Sequence, residues 1–416
     1  MLKRVVVTGL GSVTPFGVGH RTLFDALVAG KSAVSLISSF DTSEFKTKIA
    51  AEIKDFDPDP YFPKSETRRM DRFTQFAAVA AKDALLDAKI DLNRLDKSRA
   101  GIVLGSGFGG ISSTLEQHNI LLERGAKRVS PMCVPMMIPN MAAGILAILF
   151  GLRGPNETVC TACASSSHAI AAAFRMIQAG KADIMICGGS EAPVNPLILA
   201  AFSSMNALSK RNDEPEKASR PFDKDRDGFV LGEGAGILVL ESFEHAKARR
   251  ATVYAEIAGA GSSADAFHIT SPDPDGLGAE SAMRAALTDA GITPDKISAV
   301  VSHGTGTLAN DPIETKALKA VFGELAYKIP VNSIKSMLGH TLGAAAALEA
   351  VSAVSSIVSG VIPPTINQEI PDPECDLDYV PSVARTADLK YVMTDSFGFG
   401  GQNSVLVFKS VNKLFS

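Results

Sequence analysis

The chain has 416 residues, a formal net charge of −4 and 46% hydrophobic residues. This length accommodates two domains of about 200 residues or one duplicated core, and so small a net charge excludes a general affinity for nucleic acid or anionic membrane. Five irregularly placed cysteines form no disulfide framework and point to a reducing compartment, the cytoplasm.

Met1-Leu2-Lys3-Arg4 runs straight into a β-branched strand without signal-peptide architecture. Gly9-Leu10-Gly11 follows, but Thr14-Pro15 stands where a phosphate-binding helix would open, so turn glycines explain it better than a dinucleotide site. An amphipathic helix is predicted over 74–89, a strand over 100–104 and a glycine turn over 105–110. The apolar run 141–152 follows Pro135 and Pro139 and is too short to span a bilayer, which suits a buried or interface helix. Alanine-rich residues 169–179 read as a buried helix, 236–241 as a strand and 245–250 as a basic helix. A second round then begins: a helix over 278–290, the breaker Gly291-Ile292-Thr293-Pro294, and a strand over 297–302. This faint repeat divides the chain near residue 250, into halves 1–250 and 251–416. The alternation of helices and strands predicts an α/β fold with mostly parallel, buried sheets.

Cys163 lies in Thr161-Ala162-Cys163-Ala164-Ser165-Ser166-Ser167-His168, ahead of the first alanine-rich helix. A thiol on the first turn of a helix feels unpaired N–H groups and the positive end of the dipole, which favour thiolate. Its small neighbours leave room for a bulky ester, although an inert buried cysteine is an equally good reading of this segment alone. His303, in Val300-Val301-Ser302-His303-Gly304-Thr305-Gly306-Thr307, is predicted at a strand end, and His340, in Leu338-Gly339-His340-Thr341-Leu342-Gly343, just before another alanine-rich helix. Both are bracketed by glycines at element boundaries, where a backbone can approach a ligand. His20, His118 and His245 sit in polar contexts that suit surface residues. Cys160 and Cys163 make one Cys-x-x-Cys pair with no second pair to complete a zinc site.

These segments, with Arg220-Pro221-Phe222-Asp223, Arg226-Asp227-Gly228-Phe229, Pro363-Pro364-Thr365 and Ser396-Phe397-Gly398-Phe399-Gly400-Gly401, resemble in order the elongating, Cys-His-His β-ketoacyl-[acyl-carrier-protein] synthases, and among them the type II enzymes of bacterial fatty acid synthesis. The resemblance implies a thiolase-like fold of duplicated halves in five alternating α-β-α-β-α layers. It also implies a homodimer with residues 141–152 near the interface, and no metal or organic cofactor. Cys163 would take an acyl chain from acyl carrier protein, with the backbone N–H groups of Cys163 and Phe399 holding the oxyanion. His303 and His340 would each donate an Nε2–H to the enolate formed when a malonyl group loses carbon dioxide. Lys335 would support the histidines through Glu314. Thr270, Thr305 and Thr307 would face the pantetheine arm, Phe399 would gate the cysteine, and Phe202 and Phe108 would contact the acyl chain. Phe108 stands where a smaller aliphatic residue is common, which implies short or medium primers.

Lys64, Arg68, Arg69 and Arg72 form a basic cluster, with Lys127-Arg128 and Lys210-Arg211 elsewhere. A solvated face is the ordinary reading of such runs, but an acidic carrier protein as substrate makes Lys64, Arg68 and Arg69 a docking surface. Two departures from the family pattern stand beside Phe399: Asp395 replaces a usual asparagine, and Gln402 a common threonine. Among rivals, a biosynthetic thiolase needs a second cysteine near residues 398–403, where none occurs. An initiating synthase carries asparagine where His340 stands, and a non-catalytic partner subunit would lack Cys163. A cysteine hydrolase would need an acid to orient its histidine, for which the sequence offers no clear signal.

Overall fold

A computed structural model describes residues 2–411. Ten strands build its central framework: β1 (Val5–Thr14), β2 (Ala100–Gly105), β3 (Asn156–Val159), β4 (Ile184–Glu191), β5 (Gly234–Ser242), β6 (Ala255–Ala264), β7 (Ala299–Val301), β8 (Val331–Asn332), β9 (Tyr391–Gly398) and β10 (Gln402–Lys409). The helices that matter for the site are α1 (Arg72–Asp87), α2 (Met141–Phe150), α3 (Ser165–Gln178), α4 (Pro196–Ser204), α5 (Leu277–Ala290), α6 (Asn310–Phe322) and α7 (Ala345–Ser359).

The strand order is β8-β7-β9-β10-β6-β1-β5-β4-β2-β3. Read outward from its centre, each side repeats one pattern. An antiparallel pair (β1 with β5; β6 with β10) is followed by a second antiparallel pair (β5 with β4; β10 with β9), then by two parallel steps. The two five-stranded runs join through Val5–Val7 paired with Ala255–Ile257. The duplication faint in the sequence is therefore explicit in the hydrogen bonding.

The sheet is not mostly parallel as the alternation of elements predicted: five of the nine pairings along it are antiparallel, because each half adds antiparallel strands between the middle of the sheet and its parallel outer steps. Strands β1, β4 and β5 are nonetheless buried along their whole length, because helices cover both faces. One core lies between the two runs and is filled from α3 and α7, with Phe174, Ile177, Val351 and Val354 all 1% exposed or less. The outer cores are closed by α1 and α2 on one side, through Phe73 and Phe76, and by α5 and α6 on the other, through Met283 and Leu318. The layers thus alternate α-β-α-β-α. Burying a Leu, Ile or Phe contributes roughly 1.5–3 kcal/mol each, so α3 and α7 are anchored by the middle of the molecule. The stretch Leu342–Ser359 is apolar enough by length and composition to cross a membrane, but it is 89% buried here as the core helix.

Helix α3 begins four residues before the predicted start at 169, and α5 ends at Gly291, whose left-handed conformation (φ 63°) closes the last turn. Helices α3 and α7 are each preceded by a tight 3-10 turn, Ala162–Ala164 and Leu342–Ala344. Each turn opens on a non-glycine residue at positive φ, 48° at Ala162 and 49° at Leu342, a conformation held only where surrounding packing enforces it. In the duplicated frame Cys163 therefore corresponds to Gly343, and His340 to Cys160.

His245 is not a solvated surface residue as its context suggested. It is half-buried, with Nδ1 2.6 Å from Glu241 Oε2.

Candidate active site

Cys163, His303 and His340 arrive from three separate elements: the turn before α3, the loop after β7 and the turn before α7. All three side chains are buried (8%, 4% and 2% exposed). The sulfur and one nitrogen of each imidazole lie within 4.8 Å of one another, and His340 Nε2 is 3.0 Å from Cys163 Sγ. The two rings stand edge to face with centroids 5.5 Å apart.

The partners of the remote ring nitrogens fix the tautomers. The Leu342 backbone N–H donates to His340 Nδ1 at 3.3 Å, and Lys335 Nζ lies 3.5 Å from His303 Nδ1. An ammonium and an amide N–H only donate, so in the neutral rings each Nδ1 accepts and each proton sits on Nε2. Burial first, then the positive charge of Lys335, holds both imidazoles well below the ordinary histidine range, and His340 lowers His303 further. The site thus presents two neutral N–H donors beside a sulfur. Metal-binding histidines normally donate their remote nitrogen to a carboxylate or carbonyl. Here both remote nitrogens face donors, so the trio does not fit a metal site.

Helix position does not make Cys163 a resting thiolate. Burial pushes the thiol up to about 11, against the downward pull of Lys335 and of a hydrogen bond from the Phe399 backbone N–H. Full desolvation of a thiolate outweighs the N-terminal field of one helix.

Lys335 departs from expectation in its acid. Its ammonium is paired with Glu349 on α7 and donates to the His303 carbonyl at 2.5 Å; both side chains are almost wholly buried. Glu314 is not its partner. Instead Glu314 accepts from the backbone N–H groups of His303 (2.7 Å) and Gly304 (2.8 Å) and from Asn310 Nδ2 (3.0 Å), fixing the loop that carries the imidazole. Glu349 was not legible because only the packing of α7 brings it under Lys335.

Glu191 was missed as well. At the end of β4 it accepts from Gly107 N (2.6 Å), Phe108 N (3.0 Å), Ser106 Oγ (3.0 Å) and Gly343 N (3.0 Å), clamping the 106–110 loop to the turn before α7. Its place at the end of a buried strand was the one sequence signal available.

A cavity of about 480 Å³ opens onto the trio and is lined by Phe108, Phe202, Thr270, Thr305, Thr307 and Phe399, among others. Phe202 on α4 is its aromatic hub, with ring centroids 6.3 Å from Phe108, 5.3 Å from Phe229 and 6.5 Å from Phe399. Phe397, also unpredicted, packs edge to face against His303 at 5.6 Å. Gly398 lets the Phe399 loop lie against the nucleophile turn, because a Cβ there would sit 2.6 Å from the Thr161 carbonyl. Thr305 and Thr307 share a 3.0 Å hydroxyl contact, and Thr270 Oγ1 lies 3.4 Å from His268 Nδ1. Lys64, Arg68 and Arg69 are exposed, Lys64 paired with Asp59 at 3.0 Å. Arg72 turns inward to Glu233 at 3.2 Å and leaves that face.

Comparisons with known proteins agree with this geometry. Residues 2–246 match the beta-ketoacyl synthase N-terminal domain and residues 254–369 the C-terminal domain. The chain is 49% identical over 407 residues to a 3-oxoacyl-[acyl-carrier-protein] synthase 2 of Synechocystis, covering 98% of each chain. It is also 49% identical over 409 residues to the protein of that name from Coxiella burnetii, covering 98% of this chain and 99% of the other. Among solved structures, a β-ketoacyl synthase from Burkholderia phymatum superposes with TM-score 0.91 at 38% identity, covering 98% of this chain and all of the other. A type II PKS ketosynthase in complex with its acyl-carrier protein superposes with TM-score 0.91 at 36% identity, covering 99% and 100%.

Proposed function

The chain belongs to the β-ketoacyl synthase family, and from that premise we propose how its residues divide the work, with 1–250 supplying the nucleophile and 251–416 the two imidazoles. The protein is a condensing acyltransferase, a 3-oxoacyl-[acyl-carrier-protein] synthase. In the first half-reaction Cys163 Sγ attacks the thioester of an acyl carrier protein. The bond to the pantetheine sulfur breaks, and the thiol proton ends on the departing thiol. The N–H groups of Cys163 and Phe399 hold the oxyanion; the existing bond from Phe399 N–H to Sγ supports that placement.

In the second half-reaction a malonyl thioester loses carbon dioxide, and the released electron pair forms an enolate. Its oxygen receives the Nε2–H bonds of His303 and His340. The enolate carbon attacks the acyl carbon, the Cys163 thiolate leaves, and it takes one proton from solvent. Neutral donors suit this step, because they meet the negative charge only as it develops. The observation that carries the reading is the pair of Nδ1 atoms facing donors, which leaves the proton of each neutral ring on Nε2, with His340 Nε2 3.0 Å from the sulfur.

Thr270, Thr305 and Thr307 offer hydroxyls to the pantetheine amides, Phe399 gates the cysteine, and Phe108 and Phe202 bound the acyl chain. Lys64, Arg68 and Arg69 receive the acidic carrier. Exposed Leu122 (71%), Val134 (59%) and Ile148 (78%) support self-association into a homodimer through the region around α2, and free cysteines throughout the described residues support a cytoplasmic setting.

Intact-mass analysis with acyl carrier protein loaded with chains of increasing length tests this reading. Acylation lost in Cys163→Ser, followed by a β-keto product once malonyl carrier protein is added, is the expected result. Acylation without extension would overturn it in favour of a hydrolase, and no acylation at any length in favour of a binding subunit.

A further inference from the structure

Behind His303, away from the cavity, two carboxyl groups converge on one hydrogen. The His303 backbone N–H points to Glu314 Oε1 at 2.7 Å and to Asp395 Oδ1 at 2.6 Å. Both acids are wholly buried, at 1% and 0% exposure. One N–H cannot neutralise two carboxylates, and among the described residues no N–H or O–H donor reaches Asp395 Oδ2. An ionised Asp395 would therefore be a desolvated charge pressed against a second one.

The groups around it leave little room for another answer. The nearby cation, Lys335, is committed to Glu349 and the His303 carbonyl. On α7, Glu349 adds negative charge, and its second oxygen takes the Ser396 hydroxyl at 3.2 Å. On α6, Asp311 is engaged by Phe222 N and Gly306 N and faces Arg226 at 3.8 Å. The imidazole of His303 is neutral and points the other way. Among the described residues no positive charge is left over for Asp395. Consistently, burial first and then Glu314 raise its carboxyl far above the ordinary range.

We propose that Asp395 is a neutral carboxylic acid sharing its proton with Glu314, and that this acid–carboxylate pair is the positioning device that holds the His303 backbone for decarboxylation. At the strand position next to the gating loop, the protonated acid does what an amide would do, donating to Glu314 while accepting from His303. Unlike an amide, it can lose that proton. Above its pKa two buried charges would face each other beneath His303, and the loop from 303 to 307 would shift. The inference rests on the reading of His303 as an enolate-stabilising donor.

The test is the pH profile of malonyl-carrier decarboxylation in wild type and Asp395→Asn, each normalised to its own rate at pH 7. The expected result is an alkaline limb in the wild type, about tenfold per pH unit for one proton, that is absent or displaced upward in D395N. Acylation of Cys163, which does not use His303 in this way, keeps the same profile in both proteins. Superimposable decarboxylation limbs would overturn the proposal. The infrared spectrum of protein carrying 13C-labelled aspartate provides a readout free of turnover. A protonated-carboxyl band at pH 7 that vanishes in D395N supports the shared proton, and its absence from the wild type overturns it. A protein that failed to decarboxylate malonyl thioesters would refute the condensation reading while leaving the infrared result decisive for the pair.

Discussion

Replacing Phe108 by alanine should lengthen the acyl chains that Cys163 accepts. The ring sits on a loop whose amides are clamped by Glu191, and it packs edge to face on Phe202 at 6.3 Å. The loop backbone is thus fixed while the ring itself is 37% exposed, so a longer chain meets a side chain braced by Phe202 and not a displaceable loop. Each methylene denied burial costs roughly 0.8 kcal/mol, or about fourfold in kcat/KM. The two methylenes added per elongation cycle amount to about 1.6 kcal/mol, so primers one cycle beyond the wild-type cut-off should gain about 15-fold in Phe108→Ala. Loss of the edge-to-face pair should cost about 1 kcal/mol of stability. The assay is the rate of Cys163 acylation, followed by intact mass, across carrier proteins loaded with even-numbered chains. A folded variant whose cut-off stays at the wild-type length would refute the reasoning and assign Phe108 to packing alone.

Three further outcomes are expected. Lys335→Met leaves Glu349 buried without its cation and should cost about 3–5 kcal/mol in urea denaturation, much of it recovered in Lys335→Met/Glu349→Leu; a single-variant loss below about 1 kcal/mol would show that the pair is dispensable. Because His303 and His340 are held neutral in the folded protein, the unfolded chain binds up to two more protons once the pH falls below about 6.5, so their contribution lowers stability by up to about 2.7 kcal/mol per pH unit there and none above it. The difference in acid slope between wild type and His303→Gln/His340→Gln checks this, and equal slopes would contradict it. Charge reversal at Arg68 and Arg69 should slow turnover on carrier-bound substrate about tenfold at low ionic strength, with the deficit shrinking as salt is raised; a deficit independent of salt would point to misfolding instead of lost steering.

Much of the site was legible because its chemistry is tied to local sequence. Cys163, His303 and His340 each lie where a strand or helix begins or ends among small residues, and such boundaries are visible in composition and periodicity. The repeat of helix, strand and glycine turn likewise announced two equivalent halves, since hydrophobic period follows from which face each element must bury. Cys163 and His340 both precede an alanine-rich helix, but the paired 3-10 turns, Ala162–Ala164 and Leu342–Ala344, set them three residues apart in the repeat, a register that only the folded chain shows.

What depended on contacts distant in sequence was decided by the tertiary structure. Lys335 takes Glu349 and not Glu314 because α7 passes beneath it. Glu191 reaches loops 84 and 152 residues away. The protonation states follow the same rule: a helix N-terminus argues for a thiolate at Cys163, but complete burial reverses that result. Local sequence sets which groups are present and where elements start and stop. The charge each group carries is set by desolvation and by through-space neighbours, and these exist only once the layers have packed.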